Sequence, residues 1–374
     1  MKILVITDLY PIKEDERYTP RTIEAFVKEW EKQGHEVKVI KPNFILNSFL
    51  RKKPFYKSGI YNNVENINYW LPFMGEVNKK IKTIFTPDIV IAHMPSGLIF
   101  ANKLINQSQI SKSCLSAPLE GEVPEGGRGV VFCAAVHSSD IEVLTNPLYR
   151  FYFKPELEKA YKNAKKIACR SFVLKEKFLK LYPQFTPKTF VAPSGVGVNI
   201  VKKNWHSGNK IKVLTCGQLI KRKNIDKVIR ACEQFENVEL TVIGSGNEYN
   251  KLKNLSDKVL FTGQISHDEV LEKMKESDIF ILPSVNETFG MVYLEAMASG
   301  CITVCTKNDG IDGIIKDGFN GFTTEVNVDD IKDTLQKIIN SQNKNEILNN
   351  AYNTILEYSS EKMAENYLKN ITDY

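Results

Sequence analysis

The sequence predicts an α/β chain built from two doubly wound, Rossmann-like parallel sheets facing each other across a cleft. Three observations carry this expectation. The chain has 374 residues, more than one typical domain of 100–200. Short apolar runs alternate with stretches of helical periodicity, the pattern of parallel strands buried on both faces and covered by helices. The alternation then restarts after a Pro/Gly-rich stretch at 190–198 (FVAPSGVGV) and the polar KKNWHSGNK, where an inter-domain linker is expected.

Residues 2–7 (KILVIT) read as the first buried strand. A polar loop with Pro11 and Pro20 follows. Ile23, Phe26, Val27 and Trp30 then fall at the spacing of one helix face, which Gly34 ends. Strands follow at 37–40, 88–93, 130–136 and 166–169, with helices at 97–106, 155–164 and 171–181. Segment 107–129 lacks apolar periodicity and holds Pro118 and Pro124, so it reads as a surface loop or insertion. The second series has strands at 211–216, 238–243, 258–262, 278–282 and 302–306. Its helices are at 224–235, 247–254, 267–276 and 290–299, and further helical patterns lie near 328–341 and 345–373. The expected division is 1–194, a first Rossmann-like domain; 195–350, a second Rossmann-like domain; and 351–374, a terminal helix packing back on the first domain.

Composition narrows the class. Hydrophobic residues make up 43% and charged residues 25%, the balance of a globular protein rather than a disordered or fibrous one. Runs such as 3–6 and 89–92 fall far short of the roughly 20 residues that span a bilayer. No basic-then-apolar leader precedes the first strand. Seven cysteines without a CxxC pair, several inside apolar runs, fit a reducing cytoplasm better than disulfides. No HExxH or comparable set appears, so no metal site is expected. Residues 1–200 carry 29 Lys and Arg against 19 Asp and Glu, a net +10, and the remainder nets −4. That asymmetry suits an anionic membrane surface or acceptor near the first domain, with RKK at 51–53 and KNAKK at 162–166 as its basic clusters. Nucleic acid is not an expected partner.

In open parallel sheets, ligands bind beyond the carboxyl ends of the strands, so the loops there hold the candidate residues. The stretch 283–300 (PSVNETFGMVYLEAMASG) supplies most of them. Within 291–298 every residue is apolar or aromatic except Glu295, and no lysine or arginine lies within four positions of it. A carboxylate so placed needs hydrogen-bond donors, and the vicinal hydroxyls of a ribose would serve; the alternative is a solvent-facing glutamate. Glu287 lies eight residues earlier, before a helix start at which the N–H groups of Phe289, Gly290 and Met291 would bind an anion. An anion site with a carboxylate near each end matches a nucleotide-diphosphate sugar. A paired-carboxylate glycosidase leaves the glycine-rich anion features unexplained.

Four further segments contribute. In 216–224 (CGQLIKRKN), Lys221, Arg222 and Lys223 follow a strand and precede a helix, where a lysine can neutralise a diphosphate leaving group. The IGSGN turn at 243–247, with Gly244, and the FTGQ run at 261–264, with Gln264, lie at strand ends. Each could line a nucleotide pocket or form an ordinary turn. His137, in AAVHSSD, follows a buried strand and is followed by two serines and Asp140; a structural histidine is the equally weighted alternative.

Together these segments resemble the retaining, group-1 glycosyltransferases with the GT-B fold. The likeness is specific over roughly 195–345, where PSVNETFGMVYLEAMASG matches the family's E-x7-E block, GQLIKRKN its basic loop and GFNGF at 318–322 a glycine-containing turn. In the first domain only KILVITDLYP, QGHEV and HSSD resemble it. The resemblance implies that Glu295 binds ribose and Glu287 the transferred sugar, with Lys223 on the diphosphate. Phe289, Gly290 and Met291 would offer amides; Gly217, Arg222, Gly244 and Gln264 would complete the donor site; His137 would lie near the reacting sugar. Gln218 stands where many members have an arginine, and the loop YPIKEDERYTPRT lacks the family's paired glycines.

The implied function is metal-independent, retaining transfer of a hexose from a nucleotide sugar, UDP being favoured, to a glycan or lipid-linked acceptor. No cofactor is expected. A cytoplasmic protein peripherally attached to the inner membrane face, working in polysaccharide biosynthesis, fits that reading. The alternatives are a nucleotide-sugar epimerase of the same architecture and a catalytically idle GT-B partner subunit.

Overall fold

The structure is a computed structural model that describes residues 1–13, 16, 19–44, 56–69, 85–107, 130–206 and 208–373. It divides into two compact units. The first comprises Met1–Arg170, Lys175–Ala192 and Ala364–Tyr374, and the second comprises Ser171–Leu174 and Pro193–Met363.

The first unit is built on an eight-stranded sheet: β1 (Lys2–Ile6), β2 (Glu36–Phe44), β3 (Gly59–Tyr61), β4 (Val64–Tyr69), β5 (Ile89–His93), β6 (Val131–Val136), β7 (Lys166–Cys169) and β8 (Thr189–Val191). The strand order is β3-β4-β2-β1-β5-β6-β7-β8. β1 pairs in parallel with both β2 and β5, Ile3 lying opposite Val37 and Ile89, and among the described residues only β3 and β4 pair antiparallel. Its helices are α1 (Thr22–Lys32), α2 (Met94–Gln107), α3 (Ser138–Thr145), α4 (Pro147–Asn163) and α5 (Phe172–Leu181), the first turn of α5 belonging to the second unit. The apolar stripe of α1 is buried as its spacing requires, and Trp30 donates from Nε1 to the Ala364 carbonyl at 2.9 Å.

Elements of the first unit depart from the sequence expectations. The sequence does not predict β3 and β4, because the adjacent polar residues Glu65 and Asn66 break the apolar alternation of VENINY. Both of these are buried, and Asn66 Nδ2 donates to the Tyr56 and Lys57 carbonyls at 3.2 and 3.0 Å. α4 begins eight residues before the expected 155, because Asn146 caps it by accepting from Leu148 N at 3.0 Å and Pro155 is tolerated inside it. Gln107, where the sequence predicts a loop to begin, is the last residue of α2; residues 108–129, the rest of that segment, lie outside the described residues, as does RKK 51–53.

The second unit carries β9 (Ile211–Cys216), β10 (Val238–Ile243), β11 (Leu260–Gly263), β12 (Ile279–Ile281), β13 (Ile302–Thr306) and β14 (Phe322–Thr324), all parallel. Their order, β11-β10-β9-β12-β13-β14, is the doubly wound 3-2-1-4-5-6, with its switch point between β9 and β12. Helices α6 (Ile225–Cys232), α7 (Tyr249–Lys253), α8 (His267–Glu276), α9 (Met291–Ala298), α10 (Val328–Asn340) and α11 (Lys344–Glu357) accompany it. The helical pattern near 345–373 is two helices, α11 and α12 (Ser360–Thr372). Between them Val196 N donates to Tyr358 O at 2.8 Å and Ser360 N donates to Val196 O at 3.1 Å. A Cβ at Gly195 would lie 2.4 Å from the Ser359 carbonyl oxygen, so that close backbone approach requires glycine. Among the described residues no helix is long and apolar enough to cross a membrane.

Candidate functional site

The switch point of the second unit brings together the loops after β9 and β12. β9 ends at Cys216, β10 at Ile243, and each is followed by a glycine, Gly217 at φ +154° and Gly244 at φ +139°. Gly217 N donates to Ile243 O at 3.0 Å and Gly244 N to Gly263 O at 2.9 Å. A Cβ on Gly244 would stand 1.9 Å from the Gly217 carbonyl oxygen. The two turns therefore interlock backbone against backbone. Beside them, Ser245 Oγ donates to Gln264 Oε1 at 3.1 Å.

Beyond Gly217 the chain does not enter a helix at Asn224, as the sequence suggested. Lys221–Lys223 form a 3-10 turn, Asn224 adopts φ +52°, and α6 starts at Ile225. The left-handed asparagine aims its amide across the crevice: Nδ2 donates to Pro283 O at 2.9 Å, while Val285 N donates to Arg222 O at 3.0 Å. These bonds tie the basic loop to the loop after β12.

That second loop carries Glu287. Its Oε1 accepts from Lys223 Nζ at 2.5 Å, Arg222 Nη1 at 2.7 Å and Ser284 Oγ at 2.6 Å. Burial pushes the Glu287 carboxyl up, but Lys223, Ser284 and Arg222 outweigh it and hold the group below its ordinary range. Asp309, after β13, fixes the loop by accepting from Asn286 N at 2.6 Å and Glu287 N at 2.8 Å. The helix start follows at once: Gly290 is the N-cap of α9 at φ +95°, and no side chain caps the helix. Tyr293 N donates to the Gly290 carbonyl at 3.2 Å, and the N–H groups of Met291 and Val292 come too early in the helix for an acceptor inside it. Phe289 is buried beneath this turn, and Met291 is half-buried.

Glu295 lies one turn further along α9, its side chain 17% exposed. The sequence offered it no nearby cation; the structure supplies His267, whose Nε2 lies 3.1 Å from Oε1. Burial raises the Cys216 thiol to about 12, with Glu295 adding to the rise and Lys223 opposing it, so both groups act on the end of β9. The structure thus gathers Gly217, Arg222, Lys223, Glu287, Phe289, Gly290 and Met291 around the switch point, with Gly244 and Gln264 in the neighbouring turns. Ser284, Asp309 and His267 escaped the sequence reading. Asp309 and His267 had visible signals, the NDG turn after a strand and the S-x-x-E capping signature of Ser266 and Glu269.

His137 lies in the first unit, at the end of β6. It is buried, and its Nε2 meets His93 Nδ1 at 3.1 Å, so this ring nitrogen is already engaged. Its backbone N–H donates to Asp140 Oδ2, and Tyr161 OH donates to Asp140 Oδ1, each at 2.9 Å. Burial, with Arg170 adding, pushes His137 down to about 3, and burial with His137 and Arg170 takes His93 well below its ordinary value. Unfolded histidines take up protons below about pH 6.5, where the folded ones stay neutral. Their contribution to stability is therefore complete above that pH and is lost as pH falls. Asp140, raised by burial to about 7, acts oppositely, weakening the fold as pH rises from about 4 to 7. Urea unfolding of the wild type and His93→Gln separates the two. Between about pH 7 and 5 the wild type should lose more stability than the variant; parallel slopes would remove this account.

Among the described residues no group of three or more His, Cys, Asp or Glu could hold a metal ion.

Comparison with known proteins assigns the class. Residues 199–354 match the model of the group 1 glycosyl transferases, and the two parallel-sheet units have the GT-B fold. This segment, which holds Arg222, Lys223, Glu287 and Glu295, belongs to the group 1 glycosyltransferase family. An uncharacterized glycosyltransferase of Methanocaldococcus jannaschii is 28% identical over 238 residues, 62% of this chain and 63% of that protein. The alpha-monoglucosyldiacylglycerol synthase of Streptococcus pneumoniae is 30% identical over 172 residues, 43% of this chain and 38% of the synthase. The chain thus spans less than two thirds of either relative's length. Among solved structures, Anabaena HepE in complex with UDP-glucose aligns over 100% of both chains with a TM-score of 0.68 at 16% identity.

Proposed function

We propose that the protein is a retaining, metal-independent glycosyltransferase that moves a hexose from a UDP-sugar to the hydroxyl of a glycan or lipid-linked acceptor. The observation that carries this reading is Glu287 shared by Lys223 and Arg222 beside the uncapped start of α9. Breaking the sugar–phosphate bond places negative charge on the diphosphate. Lys223, Arg222 and the first-turn amides of α9 meet that charge with fixed donors. Gly217, lacking a Cβ, leaves the backbone open to the phosphates. Glu287 accepts from hydroxyls of the transferred hexose, and Glu295 accepts from those of the ribose. Glu287 is held by three donors and is a poor nucleophile, which favours front-face displacement, with the leaving oxygen assisting the incoming hydroxyl.

UDP as the nucleotide draws support from the UDP-glucose complex of the Anabaena structure, and a lipid acceptor from the name of the pneumococcal relative. The net +10 of residues 1–200 suits peripheral contact with an anionic membrane on the cytoplasmic side. A thermal-shift screen of nucleotide sugars identifies the donor. UDP release by the purified chain is then followed with and without a chelator, and with diacylglycerol or glycan acceptors. Donor turnover that survives the chelator, with the anomeric configuration kept in the product, is expected. Epimerised donor, a divalent-ion requirement, or no turnover by the chain alone would overturn the proposal.

A further inference from the structure

Glu295 is the one carboxylate of α9, and the partner that holds it comes from another helix. His267 is the first residue of α8, and a capping box fixes its backbone. Ser266 N donates to Glu269 Oε2 at 2.8 Å, and Glu269 N donates to Ser266 Oγ at 3.3 Å. The ring therefore meets Glu295 from an anchored base. A carboxylate has about four lone-pair sites on its two oxygens. His267 takes one on Oε1, leaving Oε2 and the rest of Oε1 for other donors.

We infer that His267 is a positioning residue that holds the Glu295 carboxylate in the orientation that accepts two vicinal ribose hydroxyls, and that it makes nucleotide affinity depend on pH. The inference rests on the reading of Glu295 as the ribose-binding group. The groups around His267 are Glu295 and Ser299 from α9, Asp268, Glu272 and Lys275 from its own helix, and Asn199. With the exception of Glu295, these line a cavity of about 360 Å³ that His267 also borders. Lys275 is engaged by Glu272 at 2.7 Å. The hydrogen bond to Glu295 raises the imidazole above its ordinary value against the opposing effect of burial, and Glu295 and Asp268 add to the rise through their charge. Protonated His267 keeps its donor on Glu295 and offsets the negative charge that a nucleotide diphosphate would otherwise meet. Affinity should therefore be highest with the ring protonated and fall as pH rises through its titration.

The test is UDP calorimetry at about pH 6.5 and 8.5 on the wild type, H267A, H267Q, E295Q and the double variant H267Q/E295Q. His267 is exposed enough for the variants to fold, which melting temperatures check. At the lower pH, H267A should weaken UDP binding roughly three- to tenfold, the scale of one partly exposed charge-assisted hydrogen bond. That loss should shrink at the higher pH. H267Q keeps an N–H donor that cannot be protonated, so it should match the wild type at the higher pH only. The ionisation of UDP itself is common to all the proteins. In the E295Q background, replacing His267 should change nothing further. Equal affinity of H267A and wild type at both pH values, or losses that simply add in the double variant, would overturn the inference. If E295Q alone binds UDP as the wild type does, the ribose reading fails, and the role of His267 falls with it.

Discussion

Lys223→Ala should cut the turnover of a UDP-sugar donor by about two to three orders of magnitude while leaving the melting temperature close to wild type. That is the usual scale for removing one pre-aimed donor from charge developing in a transition state. Lys223 is the better placed of the two cations: its side chain is 11% exposed, against 42% for Arg222, so solvent screens it less. The fold should tolerate the change, because Glu287 keeps Arg222, Ser284 and the Asp309-anchored loop. No buried charge is left without a partner, the condition under which breaking an ion pair becomes costly. Arg222→Ala should have the smaller effect. Steady-state UDP release measures both. Wild-type turnover in Lys223→Ala would show that the leaving group meets its charge elsewhere.

The sequence made the second unit legible because its signals are local. Strands such as 211–216 and 302–306 are short, mainly apolar runs, and in the structure they keep those bounds. Glu287 and Glu295 stood out as acidic residues in or next to an otherwise apolar helix. Residues whose role depends on pairing across the sheet were harder to see. Ser284 and Asp309 act only through the loop they hold, and His267 reaches Glu295 from 28 positions away. The order β11-β10-β9-β12 is what places the basic loop against Glu287, and no spacing along the chain displays strand order. In the first unit, polar residues are buried inside regular elements, as Glu65 and Asn66 are in β4, and the alternation rule has no signal for that. His137 could be seen at the end of a strand; its engagement with His93 could not.

Gly244→Ala should destabilise the second unit by about 4 kcal/mol or more, the sum of an unfavourable backbone conformation and a steric clash. The added methyl would stand 1.9 Å from the Gly217 carbonyl oxygen, and its two nearest neighbours are backbone atoms rather than a side chain that could swing away. Relief requires moving the Gly217 turn, which is held by its own bond to Ile243 and leads directly to Lys223. Gly263→Ala is the control. Gly263 also has positive φ, +73°, yet nothing lies within 4 Å of its Cβ position, so the substitution should cost only about 1 kcal/mol. Urea and thermal unfolding of the two variants compare conformation alone with conformation plus clash. A Gly244→Ala protein as stable as Gly263→Ala would mean that the two turns do not interlock. The folded fraction of Gly244→Ala should also bind UDP more weakly, since the Gly217 turn that shifts to admit the methyl is the one that presents its backbone and Lys223 to the diphosphate. Retained wild-type affinity would separate the packing of these turns from the site they frame.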